Sequence, residues 1–155
     1  LSGFGLRGLI IRPVFKGSSL SSYSPYTDAG LLITTPIGLY FGSVFTSLTY
    51  EISNYSFTSS GFENKVEGSS HTTAFNFDLT NKISFGGKSI KKYAFLGRSN
   101  YSDGKGYLIG GDLVYNVSTF PLSFALSSRA NMVNTKSLGS TMWVSLGVNV
   151  GINIP

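Results

Sequence analysis

Residues 142–154 read MWVSLGVNVGINI, and this stretch decides the fold. Its even positions are all apolar, from Met142 to Ile154, whereas its odd positions after Trp143 are small or polar. A period of two residues is the pattern of a β-strand with two different faces. At about 3.3 Å per residue the strand is roughly 43 Å long, far beyond the usual five or six residues. The stretch therefore predicts a long strand with one wholly apolar face.

The same alternation recurs along the chain, and no segment repeats its apolar residues with a helical period. Short connections are predicted at 36–38, 80–82 and 118–121, and longer loops at 16–28, 58–70, 97–106 and 134–139. A change of parity near Thr46 and Ser47 predicts a β-bulge or a short turn, of which we favour the bulge. Together these patterns predict one domain over residues 1–155 with eight strands, at 3–15, 29–36, 38–57, 70–80, 82–96, 106–118, 121–133 and 140–154.

The composition narrows the possible environments. Of the 155 residues, 12% are charged, against about 25% in an ordinary soluble domain. No apolar run reaches the ~18 residues of a spanning helix, and the aromatic content of 14% excludes disorder. The net charge of +5 is dispersed apart from Lys88, Lys91 and Lys92, which favours a solvated face or anionic head groups over nucleic acid.

Strands with one apolar and one polar face fit two environments, water around a soluble barrel and the lipid bilayer. A soluble, lipocalin-like barrel carries Lys and Glu on its outer face, whereas the polar face of this chain is mostly Ser, Gly, Asn and Thr. Only helices and closed barrels cross a bilayer, and a barrel strand needs about 9 to 11 residues to do so. We therefore predict an all-β fold, an eight-stranded antiparallel up-and-down transmembrane β-barrel, with the soluble lipocalin-like binder as the alternative.

In this pattern the whole chain resembles the small eight-stranded β-barrels of bacterial outer membranes, the group that includes the OmpA transmembrane domain, OmpX, OmpW and the lipid A-modifying barrels. No single motif carries the resemblance, and the chain departs from the group in ending Asn153-Ile154-Pro155 rather than in an aromatic residue. The resemblance implies a bacterial outer-membrane location. It also implies outer-membrane lipid, lipopolysaccharide and other envelope proteins as partners, and no nucleic acid.

Charged residues fall on the parity opposite to the apolar face. If the apolar face meets lipid, the side chains that point inward include Arg7, Glu51, Asp78, Asp112 and Arg129. The interior of an eight-stranded barrel is just wide enough for side chains to fill, and charges there must be paired to offset their desolvation. The sequence therefore predicts an ion-pair network that plugs the barrel, with a gated polar path for ions or small solutes as the alternative.

His71 is the sole histidine and follows two serines where a loop enters a strand. The deacylase-type members of the resembling group carry a His-x-Ser pair, and this chain has His71-Thr72-Thr73, so catalysis at His71 stays an alternative. The absence of Cys and of a carboxylate cluster with calcium-loop spacing predicts no metal and no cofactor. Basic residues near the long loops are expected to contact lipopolysaccharide phosphates or simply to be solvated: Lys16, Lys65, Arg98, Lys105 and Lys136.

The expected function is non-enzymatic. We expect an outer-membrane barrel that acts as a structural anchor or as an accessory subunit of an envelope protein assembly. The alternatives are a narrow channel for small or hydrophobic solutes, as in OmpW-like barrels, a lipid A-modifying enzyme that uses His71, and the soluble lipocalin-like binder.

Overall fold

The computed structural model describes the backbone of residues 3–7, 9–20, 23–59, 65–102, 104–136 and 139–154, with the side chains of these ranges except at 14–29, 55–66, 135, 141, 143, 153 and 154. Nine strands lie in this part of the chain: β1 Gly3–Leu6, β2 Leu9–Leu20, β3 Tyr23–Phe41, β4 Val44–Ser59, β5 Lys65–Asp78, β6 Ile90–Tyr101, β7 Gly104–Asn116, β8 Leu122–Thr135 and β9 Gly139–Ile154. Within the same ranges, no helix is long and apolar enough to cross a membrane.

The strands form one closed antiparallel sheet. β1 and β2 both pair with β3, at different heights, and so share one position in the barrel, while the pairing of β3 with β4 closes the sheet. The residue pairs can be followed from strand to strand around the sheet, starting at Leu39 of β3, and they lead back to β3 at Thr27. This stagger of 12 residues means that the strands are tilted relative to the barrel axis, as barrel closure requires. The predicted eight-stranded antiparallel up-and-down barrel is confirmed.

The two ends of the barrel differ in what they carry. We call the end where β1 begins and β9 ends the terminal end. It also carries the connections β3–β4, β5–β6 and β7–β8, whereas the other end, the far end, carries the remaining four hairpins. The assignment of connections to ends is as predicted, but the strands reach further toward the far end than predicted. As a result Lys16 lies inside β2, paired with Asp28 and Gly147, rather than at the edge of a loop.

The first hairpin of the terminal end was predicted at the wrong place. Residues 36–38 lie inside β3, where the register with β4 shifts between Thr34 and Gly38, and the chain turns at Gly42 and Ser43 instead. Gly42 has a φ of +61° at the first of two loop residues, the position that needs glycine in a type II′ hairpin. This turn, and not a bulge near Thr46, is what changes the parity.

The predicted strand 82–96 is also wrong in its first half, because residues 81–89 form an exposed loop and β6 begins at Ile90. Gly86 and Gly87 have φ values of +70° and +64°, which break an extended backbone. The nitrogens of Lys82 and Ile83 donate to the Leu79 carbonyl at 2.9 and 3.1 Å and start the turn. The longest connection in the described part of the chain therefore lies at the terminal end.

Burial in this barrel is inverted relative to an ordinary domain. Among the described side chains, 20 polar or charged residues are buried and only 8 apolar ones, while 26 large apolar or aromatic residues are exposed. The face of β9 that the sequence marked as apolar is the outer one, since Leu146, Val148 and Val150 are exposed and Ser145 and Asn149 are buried. The wall is thus apolar outside and polar inside.

Candidate functional site: the charged interior of the barrel

The structure places the five charged residues that the sequence assigned to the interior on the inner face, in two groups. Glu51, Asp78, Asp112 and Arg129 are buried, and the Arg7 side chain is about one-third exposed at the terminal end. Arg7 pairs with Asp78 in one group, and Arg129 contacts both Asp112 and Glu51 in the other. No described ion pair joins the two groups.

The group at the terminal end holds the first strand against the fifth. Arg7 Nη1 donates to Asp78 Oδ2, and the guanidinium lies 4.3 Å from the ring centre of Phe45, a cation–π distance. Asp78 Oδ1 also accepts from the backbone nitrogen of Thr80 at 2.9 Å, so the carboxylate uses both of its oxygens. The pair ties β1 to the point where the chain leaves β5.

The deep group is built on Asp112 of β7. Its Oδ1 accepts a hydrogen bond of 2.7 Å from Arg129 Nη1 on the neighbouring strand β8, and Arg129 Nη2 lies 4.0 Å from Glu51 Oε2 across the barrel. Ser53 donates to the other Glu51 oxygen at 3.1 Å, and the Arg129 guanidinium lies 4.4 Å from the Phe95 ring centre. One arginine therefore bridges two carboxylates through the middle of the interior.

Arg12 belongs to this group and was missed by the sequence analysis. Its side chain is 1% exposed, and its Nη1 lies 3.4 Å from Asp112 Oδ2. The parity set by Phe4 and Leu6 points Arg12 outward, but the strand is broken between β1 and β2, so that Ile10 and Arg12 share the inner face with Arg7. An arginine at the apolar parity of a hydrophobic run was the signal for that break, because its charge would otherwise face outward among apolar residues.

With Arg12 included, the described ion pairs of the interior join three arginines and three carboxylates, whose formal charges cancel. Hydrogen bonds between strands occupy much of the remaining inner face, such as Thr72 with Ser99 at 2.8 Å and Asn149 with Ser127 at 2.7 Å. Two Arg12 nitrogens, Nε and Nη2, have no hydrogen-bond partner although the side chain is buried. Arg12 also makes the longer of the two contacts with Asp112, at 3.4 Å against 2.7 Å for Arg129.

The middle of the interior is filled with side chains. Arg12, Leu32, Phe95 and Arg129 are each no more than 2% exposed. Nearer the terminal end, a cavity of about 20 Å³ lies between the Arg7–Asp78 pair and Asn76, which is room for about one water molecule. The arrangement can hold the wall rigidly, and these four side chains occupy the path that a solute would have to take.

His71 lies on the outer face, exposed, and its Nδ1 is 2.6 Å from the Tyr50 hydroxyl. Thr72 points inward and Thr73 outward, so the hydroxyl that bonds the described histidine ring is the phenol of Tyr50 rather than a threonine. In the described part of the chain, no group of three His, Asp or Glu residues is arranged to hold a metal ion.

Three of the predicted lipopolysaccharide contacts lie on neighbouring strands. Arg98, Lys105 and Lys136 are exposed, and Lys105 pairs with Asn100, two residues after Arg98, and with Asn134, two residues before Lys136. The side chains of Lys16 and Lys65 lie outside the described residues.

Comparison with protein families, with curated proteins and with solved structures finds no match to this chain.

Proposed function

We propose that this chain is a transmembrane β-barrel of a bacterial outer membrane and that it acts without catalysis, as a structural anchor or accessory subunit of an envelope protein assembly. The inverted burial carries the proposal: a closed wall that is apolar outside and charge-balanced inside suits lipid outside and a solid plug within. Backbone pairing around a closed barrel leaves no sheet edge to meet the hydrocarbon.

The outer wall also supports a protein partner, because it is not equally apolar all round. On β9 six successive outward residues are apolar, from Met142 to Ile152, whereas on β5 only Phe75 and Phe77 are. From Phe75 toward the far end, the outward positions of β5 are Thr73, His71 and Ser69. Since a spanning strand of about ten residues presents about five to lipid, we propose that the polar β5–β6 face contacts another envelope protein.

We propose further that lipopolysaccharide phosphates contact the exposed cations Arg98, Lys105 and Lys136, with Lys16 and Lys65 as further candidates. Charge-assisted hydrogen bonds from Arg and Lys to phosphate are stronger than neutral ones. This orientation puts the far end at the cell surface and the terminal end next to the inner leaflet of the outer membrane.

Two measurements test the proposal. The folded chain should require detergent and should migrate faster on a gel before boiling than after it, since a closed barrel resists dodecyl sulfate until it is heated. For the partner, His71→Asp with Thr73→Asp should reduce chemical cross-linking to a co-purifying envelope protein. Asn134→Asp with Ser140→Asp, which adds two negative charges at exposed polar positions of β8 and β9, is the matched control for changed exterior charge. A monomer that stays folded in water without detergent contradicts the membrane location, and cross-linking unaffected by the β5 substitutions contradicts the partner surface.

A further inference from the structure

The stretch 82–92 at the terminal end, which joins the loop 79–89 to the start of β6, carries an unusual concentration of one charge. Lys82, Lys88, Lys91 and Lys92 fall within its eleven residues, the first two in the loop and the last two in β6, and no acidic residue occurs between Asp78 and Asp103. The two nearest described carboxylates are taken by arginines, since Asp78 pairs with Arg7 and Asp112 with Arg129. In the described part of the chain no ion pair involves these four lysines.

The same loop exposes apolar side chains beside an open groove. Ile83 is 44% and Phe85 is 69% exposed. Together with Leu79 and with Leu113 of β7, they line a groove of about 220 Å³ between the loop and the outer wall of β6 and β7. That volume has room for several water molecules, which suits a segment of one hydrocarbon chain.

Local geometry fixes the loop against the wall. Lys92 points out of the barrel, is 3% exposed, and donates from Nζ to the Gly87 carbonyl at 2.7 Å, while its backbone nitrogen donates to Thr80 Oγ1 at 3.0 Å. Gly86 turns with a positive φ, and a Cβ there would meet Ile90 Cδ1 at 2.9 Å. Lys92 is therefore a structural support, and Lys91, which pairs with the buried Val114, lies on the inner face of β6. Lys82 and Lys88, both exposed on the loop, are left for a ligand.

We propose that this groove binds a single anionic phospholipid of the leaflet next to the terminal end. Its acyl chain would lie between Phe85, Ile83 and Leu113, and its phosphate would contact Lys82 and Lys88. Charge complementarity selects the occupant: two exposed cations on the loop beside an apolar groove match an amphiphile with a negative head and an apolar tail. The inference rests on the proposed membrane location, and it makes the loop a lipid site distinct from the far-end cations.

The test uses tryptophan quenching in vesicles, with Trp143→Phe to remove the one native tryptophan. Phe85→Trp in this background reports on the groove, and Val148→Trp reports on the outer wall of β9. The probes are phosphatidylcholine vesicles that contain either brominated phosphatidylcholine or brominated phosphatidylglycerol at the same fraction. We expect the groove reporter to prefer the anionic probe by about tenfold in relative association, because each lysine near a charged surface contributes a several-fold factor.

Replacing the two exposed lysines, as Lys82→Gln with Lys88→Gln, should abolish that preference. The matched control, Arg98→Gln with Lys105→Gln, removes the same charge elsewhere, and the preference for the anionic probe should remain. Soluble glycerol phosphate should not compete, and full competition would mean a phosphate site without a chain site. Equal quenching by both probes at Phe85→Trp, with Val148→Trp still quenched, overturns the lipid site alone. Absence of quenching at Val148→Trp overturns the membrane location itself.

Discussion

Asp112 accepts a hydrogen bond of 2.7 Å from Arg129 at a point where neither side chain is more than 1% exposed. The two residues lie on neighbouring strands, and Arg129 reaches on toward Glu51 while Asp112 reaches toward Arg12. A buried pair of this kind contributes little compared with well-packed apolar residues, but the removal of one partner is costly. The deep group is therefore best tested by changing one partner at a time.

Asp112→Asn removes the negative charge and keeps the shape, so that Arg12 and Arg129 lose the carboxylate they share. We expect the free energy of unfolding, measured by urea titration in detergent micelles, to fall by about 3 to 5 kcal/mol. Ser123→Ala is the control, because the Ser123 hydroxyl is fully buried without a hydrogen-bond partner and its loss should be nearly neutral. Equal effects of the two substitutions would contradict the importance of the shared carboxylate.

The two deep arginines should differ in their contributions. Arg129 makes a 2.7 Å hydrogen bond to Asp112 and also contacts Glu51 at 4.0 Å, whereas Arg12 lies 3.4 Å from Asp112. Arg12→Met should therefore lower the free energy of unfolding by about 1 to 2 kcal/mol, and Arg129→Met by about 3 to 5 kcal/mol. The shift of the urea midpoint, at an unchanged dependence of the unfolding free energy on urea concentration, measures the loss of stability in each variant. A larger loss for Arg12→Met would show that the long contact is the dominant one.

The plugged interior makes a prediction about conductance. Arg129→Ala should lower the melting temperature without raising the single-channel conductance in planar bilayers, because Phe95, Leu32 and Arg12 still fill the cross-section. The measurement compares the wild-type chain and the variant at the same protein density. A clear increase in conductance would favour the gated polar path over the structural plug.

A substitution at His71 distinguishes the catalytic alternative from the non-enzymatic role. Because its ring bonds the Tyr50 phenol on the outer face, His71→Ala should leave the lipid A mass spectrum of cells that express the barrel unchanged. The control is a cell without the barrel, whose lipid A should give the same spectrum as well. An acyl-chain loss that requires the wild-type histidine would overturn the non-enzymatic proposal.

The fold could be predicted from the sequence because alternation within an uninterrupted strand is a strong signal. The two faces of the stretch 142–154 are as predicted, since it pairs with β8 from Met142 to Ile152 without a shift. Alternation says nothing, however, about how one strand's faces relate to those of the next, and a one-residue slip exchanges them. Arg12 was missed for that reason, and the turn at Gly42 was displaced to residues 36–38.

The loop 79–89 could not be recognised from periodicity either. Its apolar residues Ile83 and Phe85 keep the spacing of a strand, and the decisive feature is the pair of positive φ angles at Gly86 and Gly87. Two adjacent glycines in an alternating run were the available signal, since glycine readily adopts that conformation. The sequence also could not predict which charged residues pair with each other, because ion pairs across the barrel depend on a register that only the closed sheet defines.

The most direct test of the membrane location uses the absence of cysteine in the chain. Single cysteines at Leu126 and Val148, both exposed on the outer wall, are compared with one at Ser43 in the terminal-end hairpin, each in vesicles treated with a charged maleimide. We predict labelling at least about tenfold slower at the two wall positions than at Ser43, because an apolar band within the bilayer excludes a charged reagent. Equal rates at all three positions would contradict the account.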